Sequence, residues 1–129
     1  MRNRGSTVII ENGRVALIKR TKPNLTYYVF PGGGIEEGET SEQAAIRETY
    51  EEIGVHVSIR RLLKVLNYSN TQYFYLADII GGTFGPSIGE EYTDPSFVRG
   101  GFEPIWMDIN ELLLFDVRPK EIVEIITTN

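Results

Sequence analysis

Hydrophobic and polar positions first fall into short apolar runs separated by turn residues, the pattern of strands. Thr7-Val8-Ile9-Ile10 and Val15-Ala16-Leu17-Ile18 flank Glu11-Asn12-Gly13-Arg14. Asn-Gly between two apolar runs predicts a tight β-hairpin. Tyr27-Tyr28-Val29-Phe30 reads as a further strand, ended by Pro31 and three glycines. The period then changes to that of a helix from Thr40 to Ile53. Thr40 with Gln43 has the form of a capping box, and Gly54 is a stop signal. Within this helix Ala45, Ile46, Thr49, Tyr50 and Ile53 recur at helical spacing and are expected to face the core. Val55, Val57 and Ile59 alternate with His56, Ser58 and Arg60 as a half-buried strand, and Tyr73 to Ile80 forms another.

Gly81 to Gly101 is rich in Gly, Pro and Ser and reads as a long loop, a length often tied to function. Phe102 to Met107 is the last strand, its Pro104 pointing to an edge or a strand start. Asp108 to Leu113 reads as a short helical turn. Arg118-Pro119-Lys120 opens a C-terminal helix with Ile122, Val123, Ile125 and Ile126 on its apolar side. The order predicts an α/β fold, a mixed β-sheet flanked by helices, in one domain spanning residues 1–129.

Composition changes this picture mainly by exclusion. With 41% hydrophobic and 24% charged residues the chain has an ordinary globular mix, and no apolar run reaches the length of a bilayer crossing. The apolar stretch after Met1 is too short for a signal peptide, so no membrane partner is expected and the cytoplasm is the default compartment. Cysteine is absent, which removes disulfides, thiolate metal sites and cysteine nucleophiles.

Charge matters by position. Of eighteen acids, seven (Glu36, Glu37, Glu39, Glu42, Glu48, Glu51 and Glu52) fall in one stretch whose only base is Arg47. The rest of the chain is nearly neutral, with twelve bases against eleven acids. Such a concentration argues against a nucleic-acid backbone as ligand at this surface. A solvated acidic helix face is the plain alternative.

The helix sharpens the choice. Glu48, Glu51 and Glu52 stand at i, i+3 and i+4, so their carboxylates share a face and repel unless a cation sits among them. Oxygen-only ligands of this kind suit Mg²⁺ or Mn²⁺. Gly32, Gly33 and Gly34 allow a close backbone approach beside the helix start.

Gly33, Glu39, Arg47-Glu48, Glu51-Glu52 and Gly54-Val55 resemble the Nudix box, G-x5-E-x7-R-E-U-x-E-E-x-G-U with U apolar. The match covers every fixed position of a 23-residue window, and Phe30-Pro31-Gly32 and Gly38 agree with the usual flanks. One position departs, because Thr49 stands where a bulky aliphatic is usual. A signature with this many fixed positions is far more specific than a lone glycine loop. Resemblance to the Nudix (MutT-like) hydrolases implies an α/β/α sandwich and a Mg²⁺-dependent pyrophosphohydrolase of a nucleoside diphosphate linked to another moiety.

Carried over residue by residue, the resemblance makes Glu48, Glu51 and Glu52 metal ligands, with the Gly32 carbonyl as a further contact. Arg47 orients the glutamates, and Glu48 with Arg47 forms the candidate catalytic pair. Arg20 and Gly33 are expected at substrate, and Glu90 or Glu91 in the long loop as an extra carboxylate that rivals Glu48 as base. Glu39 fits a helix N-terminal acid favoured by the dipole, a structural salt bridge to Arg47, or a metal contact. His56 reads as an exposed residue and Tyr73 as core or edge packing. Patterns of the coenzyme A and NADH-cleaving branches are not visible, and no proline stands near Asn70-Thr71 as in many ADP-ribose hydrolases. The partner expected is therefore a nucleotide-type small molecule, and a homodimer stays open. A noncatalytic nucleotide-binding module is the main alternative. An isoprenoid diphosphate isomerase is disfavoured by the missing cysteine.

Overall fold

A computed structural model describes residues 2–85 and 101–128. The hairpin forms as expected from β1 (Arg4–Glu11) and β2 (Arg14–Lys22), with Asn12 and Gly13 turning at φ 54° and 75°. β3 (Leu25–Val29) pairs with β2. The glycines do more than end it, because Gly32–Gly34 is itself a strand, β4, laid antiparallel against Arg4, Gly5 and Ser6. After α1 (Ser41–Ile53), β5 runs from Val55 to Asn67 and β6 from Thr71 to Gly82. The β5 strand continues seven residues past the alternating stretch because its pairing with β6 absorbs three register shifts. Bulges of this kind let a strand keep its partner where its side-chain alternation breaks. β7 (Phe102–Asp108), a 3-10 turn (Ile109–Leu114), β8 (Val117–Arg118) and α2 (Lys120–Thr127) complete the described elements.

Among the described residues the strands form a mixed sheet in the order β5-β6-β1-β2-β3-β8, with β4 on β1 and β7 on β2. β1 runs parallel to β6, and β3 parallel to β8. The start of β1 pairs with β4 while only its end, Ile10 and Glu11, pairs with β2, so the sheet splays and curls around β1. Pro104 lies on β7, whose one described partner is β2, and its missing N–H is tolerated at such an edge.

Alternation along β1 and β2 decides how the layers stack. Val8, Val15 and Leu17 point to one face, where they meet Phe30, Phe74, Leu112, Ile122 and Val123. Ile9, Ala16 and Ile18 point to the other, where they meet Ile53, Val55 and Val57. The first cluster is roofed by α2 and the 3-10 turn, the second by α1. Each fully buried aliphatic side chain contributes about 1.5–3 kcal/mol relative to exposure. The result is the expected α/β/α arrangement.

The expected face of α1 is corrected in part. Ala44, Ala45, Thr49 and Ile53 are buried, whereas Tyr50 is 39% exposed and stacks on the exposed His56 with ring centroids 4.2 Å apart. Ile46 packs part-buried against the second cluster, so Tyr50 is the one expected core residue that turns outward. The helix sits close to β1 at Gly5, where a Cβ would meet the Ser41 carbonyl at 2.3 Å. Thr49, the one departure from the box, has a local reason. Its hydroxyl meets that of Thr7 on β1 at 2.8 Å, and both residues are wholly buried. Thr49→Val leaves the Thr7 hydroxyl without that partner and is expected to cost about 1–3 kcal/mol. Joining Thr7→Val to it should return most of that loss in denaturant unfolding; additive losses would show the hydroxyl pair to be incidental.

Candidate active site

The helix that carries the acids is closed at both ends by its own sequence. The Thr40 hydroxyl accepts from the Gln43 amide at 3.0 Å, and the Gln43 side chain accepts from the Thr40 amide at 2.9 Å. Gly54 ends the helix at φ 81°, a left-handed conformation that favours glycine, and its N–H bonds the Tyr50 carbonyl. These caps bound the helix, on which Arg47, Glu48 and Glu52 meet β4 at Gly34, Gly33 and Gly32 while Glu51 stays more exposed beside Arg47.

Arg47 is the hub. Its Nε and Nη2 donate to the two Glu39 oxygens at 2.7 and 3.0 Å, a bidentate pair. Nη1 donates to Glu48 at 3.0 Å and to Glu51 at 3.3 Å, and Nη2 also reaches the Gly34 carbonyl at 3.1 Å. The guanidinium thus neutralises much of the acidic stretch and ties α1 to β4. The Arg47 hydrogen bonds, together with the Glu36 N–H, pull the Glu39 carboxyl down to about 2. The salt bridge between Glu39 and Arg47 that the sequence suggested is observed.

Gly33 and Glu48 fit each other by subtraction. A Cβ on Gly33 would fall on the Glu48 carboxylate, so the missing side chain is the space that the acid occupies. Gly33→Ala is expected to displace Glu48 and lower turnover by about 10–100-fold, the usual cost of moving a group that supports a site. Turnover equal to the parent, with Glu48 unmoved, would show that the gap has no role.

Glu52 turns inward. Its Oε1 accepts from the Gly32 N–H at 2.9 Å. Burial pushes its carboxyl up to about 7, with the Glu48 charge adding to the rise and the Gly32 N–H, Arg4 and Arg20 opposing it. Arg20, on β2, therefore comes close enough to Glu52 to be felt electrostatically. Its guanidinium lies 5.9 Å from the Phe102 ring centroid, and its buried Nε has no hydrogen-bond partner among the described residues.

The geometry refines the expectation of three converging carboxylates. Among the described residues no three acidic or histidine side chains form a ready cation cage. Glu48 and Glu51 lean on Arg47 while Glu52 leans on Gly32. The Gly32 carbonyl accepts from Arg4 Nη2 at 3.3 Å. Arg4 had no signal in the sequence beyond being one of several bases near the N-terminus, and only the pairing of β1 with β4 brings it here. Glu90 and Glu91 lie outside the described residues.

With these positions established, comparison with known proteins is decisive. A family model described as the NUDIX domain matches residues 1–125. The chain belongs to the Nudix family. Among curated Nudix relatives, it is 41% identical over 76 residues to an RNA pyrophosphohydrolase of Sphingopyxis alaskensis, covering 57% of this chain and 46% of that protein. It is 32% identical over 83 residues to an ADP-ribose pyrophosphatase of Methanocaldococcus jannaschii, covering 58% and 49%. Each match thus spans about half of the relative's length. A Nudix hydrolase structure from Nitrosomonas europaea superposes with a TM-score of 0.74 at 24% identity, covering 98% of this chain and 68% of that one. That likeness carries the Nudix fold, and no helix among the described residues is long and apolar enough to cross a membrane.

Proposed function

We propose that this chain is a metal-dependent pyrophosphohydrolase that cleaves a nucleoside diphosphate linked to another moiety, by attack of water on phosphorus. One observation carries the reading: Arg47 gathers Glu39, Glu48, Glu51 and the Gly34 carbonyl into one network over the glycine strand. A module that only bound nucleotides would not need the complete box.

The residues fit a hard divalent cation such as Mg²⁺ or Mn²⁺. Their donors are all oxygens, and the half-buried Glu52 beside Glu48 is a repulsive pair that a cation relieves. Among the described residues the hydrogen bonds above use Oε2 of Glu48 and Oε1 of Glu52, so each acid keeps a second oxygen. Glu48, Glu51, Glu52 and the Gly32 carbonyl would hold the ion. Bound there, a divalent ion lowers the charge on phosphoryl oxygens and acidifies a water.

The chain's own residues supply the rest. Arg47 is a positioning residue that fixes the rotamers of Glu48 and Glu51. Arg20, whose buried Nε has no hydrogen-bond partner among the described residues, is the cation proposed to meet a substrate phosphate. Gly33 leaves room for Glu48, whose carboxylate takes the proton of the attacking water. Glu90 and Glu91 are the rival bases. Glu48→Gln, Glu90→Gln and Glu91→Gln are expected to rank with Glu48 the most damaging, by about 10²–10⁴-fold in kcat. A larger loss in a loop variant would move the base to the loop.

The relatives named above act, by their names, on RNA and on ADP-ribose, so the substrate is best found by a screen. Nucleoside triphosphates, dinucleoside polyphosphates, nucleotide sugars and ADP-ribose are incubated with Mg²⁺ at mildly alkaline pH, and released phosphate, pyrophosphate and nucleoside monophosphate are followed. Metal-dependent release from at least one substrate is expected. Tight binding without product across the panel would favour the binding-module reading.

A further inference from the structure

The 3-10 turn (Ile109–Leu114) exposes apolar side chains because of its period. Its side chains eclipse every three residues, so one face, Ile109 and Leu112, packs on the first cluster. Leu113 and Leu114 lie off that face. They are 75% and 77% exposed, more than any other large apolar residue described. Phe115 follows, exposed on one side and held edge-on to Tyr28 with ring centroids 5.6 Å apart. A shallow groove of about 160 Å³ runs from this patch to α2, between Leu113, Phe115, Val117 and Val123. Consecutive exposed apolar residues rimmed by charge have the form of an interaction surface.

The charges at the rim say what fits it. Lys120 and Glu124 are the only charged residues lining the groove. Both stand against the helix dipole, because Lys120 is the first residue of α2 and Glu124 lies in its last turn. Lysine before glutamate at this spacing is also the weaker order for a pair within one helix. Among the described residues neither side chain forms an ion pair. The other acids close by in sequence are taken, Asp116 by the Arg118 fork and Glu121 by the Tyr68 hydroxyl. This order is unfavourable for a single α2 and favourable for one that meets the opposite order. A second α2, antiparallel across a two-fold axis, presents it: Lys120 of each copy then faces Glu124 of the other.

We propose that Leu113, Leu114, Phe115 and the α2 groove form a homodimer interface. The two α2 helices run antiparallel, Leu114 lies near the axis, and two Lys120–Glu124 pairs close the rim. The inference does not depend on the hydrolase reading.

Sedimentation velocity over a range of protein concentrations tests it. The parent should show a monomer–dimer equilibrium. Leu114→Asp should weaken the dimer by about 100-fold or more, since each dimer loses two buried leucines. Lys120→Glu and Glu124→Lys should each weaken it by roughly ten-fold or more, because like charges then face one another twice. An equimolar mixture of these two variants should dimerise again, as should the protein carrying both changes. Circular dichroism and melting curves confirm that each variant, altered only at exposed positions, is folded. A parent that stays monomeric at its highest soluble concentration overturns the proposal, and so does a dimer indifferent to Leu114→Asp. A dimer that Leu114→Asp disrupts, but that neither charge reversal weakens and no mixing restores, overturns the antiparallel pairing.

Discussion

Glu52→Gln is expected to abolish hydrolysis and, in the same protein, to flatten the dependence of metal-free stability on pH. The first effect follows from the proposed ligand set. Removing one carboxylate from a metal site that supplies several kcal/mol of transition-state stabilisation lowers kcat by about 10³-fold or more. The second follows from burial. The Glu52 carboxyl is pushed up to about 7 in the folded protein, while in the unfolded chain it has the ordinary value of 4.5. A carboxyl with a raised folded value binds more protons folded than unfolded between those two points. Its contribution is complete below about pH 4.5 and is lost as pH rises through about 7. The displacement corresponds to about 3 kcal/mol. Metal-free protein should therefore unfold at lower denaturant concentration at pH 8 than at pH 5, and the Gln variant should not show that decline. Added Mg²⁺ should restore the parent at pH 8, by mass action on the folded state, and restore the variant much less. A parent whose midpoint is level from pH 5 to 8, unmoved by Mg²⁺, would remove Glu52 from the ligand set.

Arg47 carries the second large effect. Arg47→Ala leaves Glu39, Glu48 and Glu51 facing one another with no cation between them. The network is partly solvated, so the stability cost is about 1–2 kcal/mol. The effect on function is larger, about 10–100-fold in turnover or metal affinity, because the rotamers of two proposed ligands are released. Arg47→Lys separates charge from geometry. Lysine keeps the charge but not the fork that meets both Glu39 oxygens, so it should recover stability better than activity. Metal titration of kcat distinguishes a positioning role from a purely structural one: raised metal demand in a folded variant supports positioning, and an unchanged profile with only a lower melting point refutes it. The acid limb gives a further check. Glu39, held down to about 2 by Arg47, contributes stability that is complete above about pH 4.5 and lost as pH falls toward 2. Arg47→Ala should lose that dependence.

The parts of the fold readable from the sequence were those governed by neighbours along the chain. Asn12-Gly13 predicts its own turn because both residues tolerate positive φ. Thr40, Gln43 and Gly54 bound α1 because capping bonds span three or four residues. The alternation of Val8 with Ile9, and of Leu17 with Ile18, already sorts the core into two faces. The box is legible for the same reason, since most of its chemistry rides on one helix. What only the tertiary structure decided depends on which distant segments pair. Three glycines in a row carry no side-chain pattern, so nothing local shows that Gly32–Gly34 is a strand on β1. That pairing places Arg4 on the Gly32 carbonyl and leaves the Gly33 gap for Glu48. The exposure of Tyr50 goes with its stacking on His56 of β5, a contact between separate elements that helical spacing alone does not report. The three glutamates look alike in the sequence, yet burial differs among them. Glu51 stays half-exposed while Glu52 is mostly covered beside Gly32, because desolvation is set by the strands packed under the helix and not by the residue type.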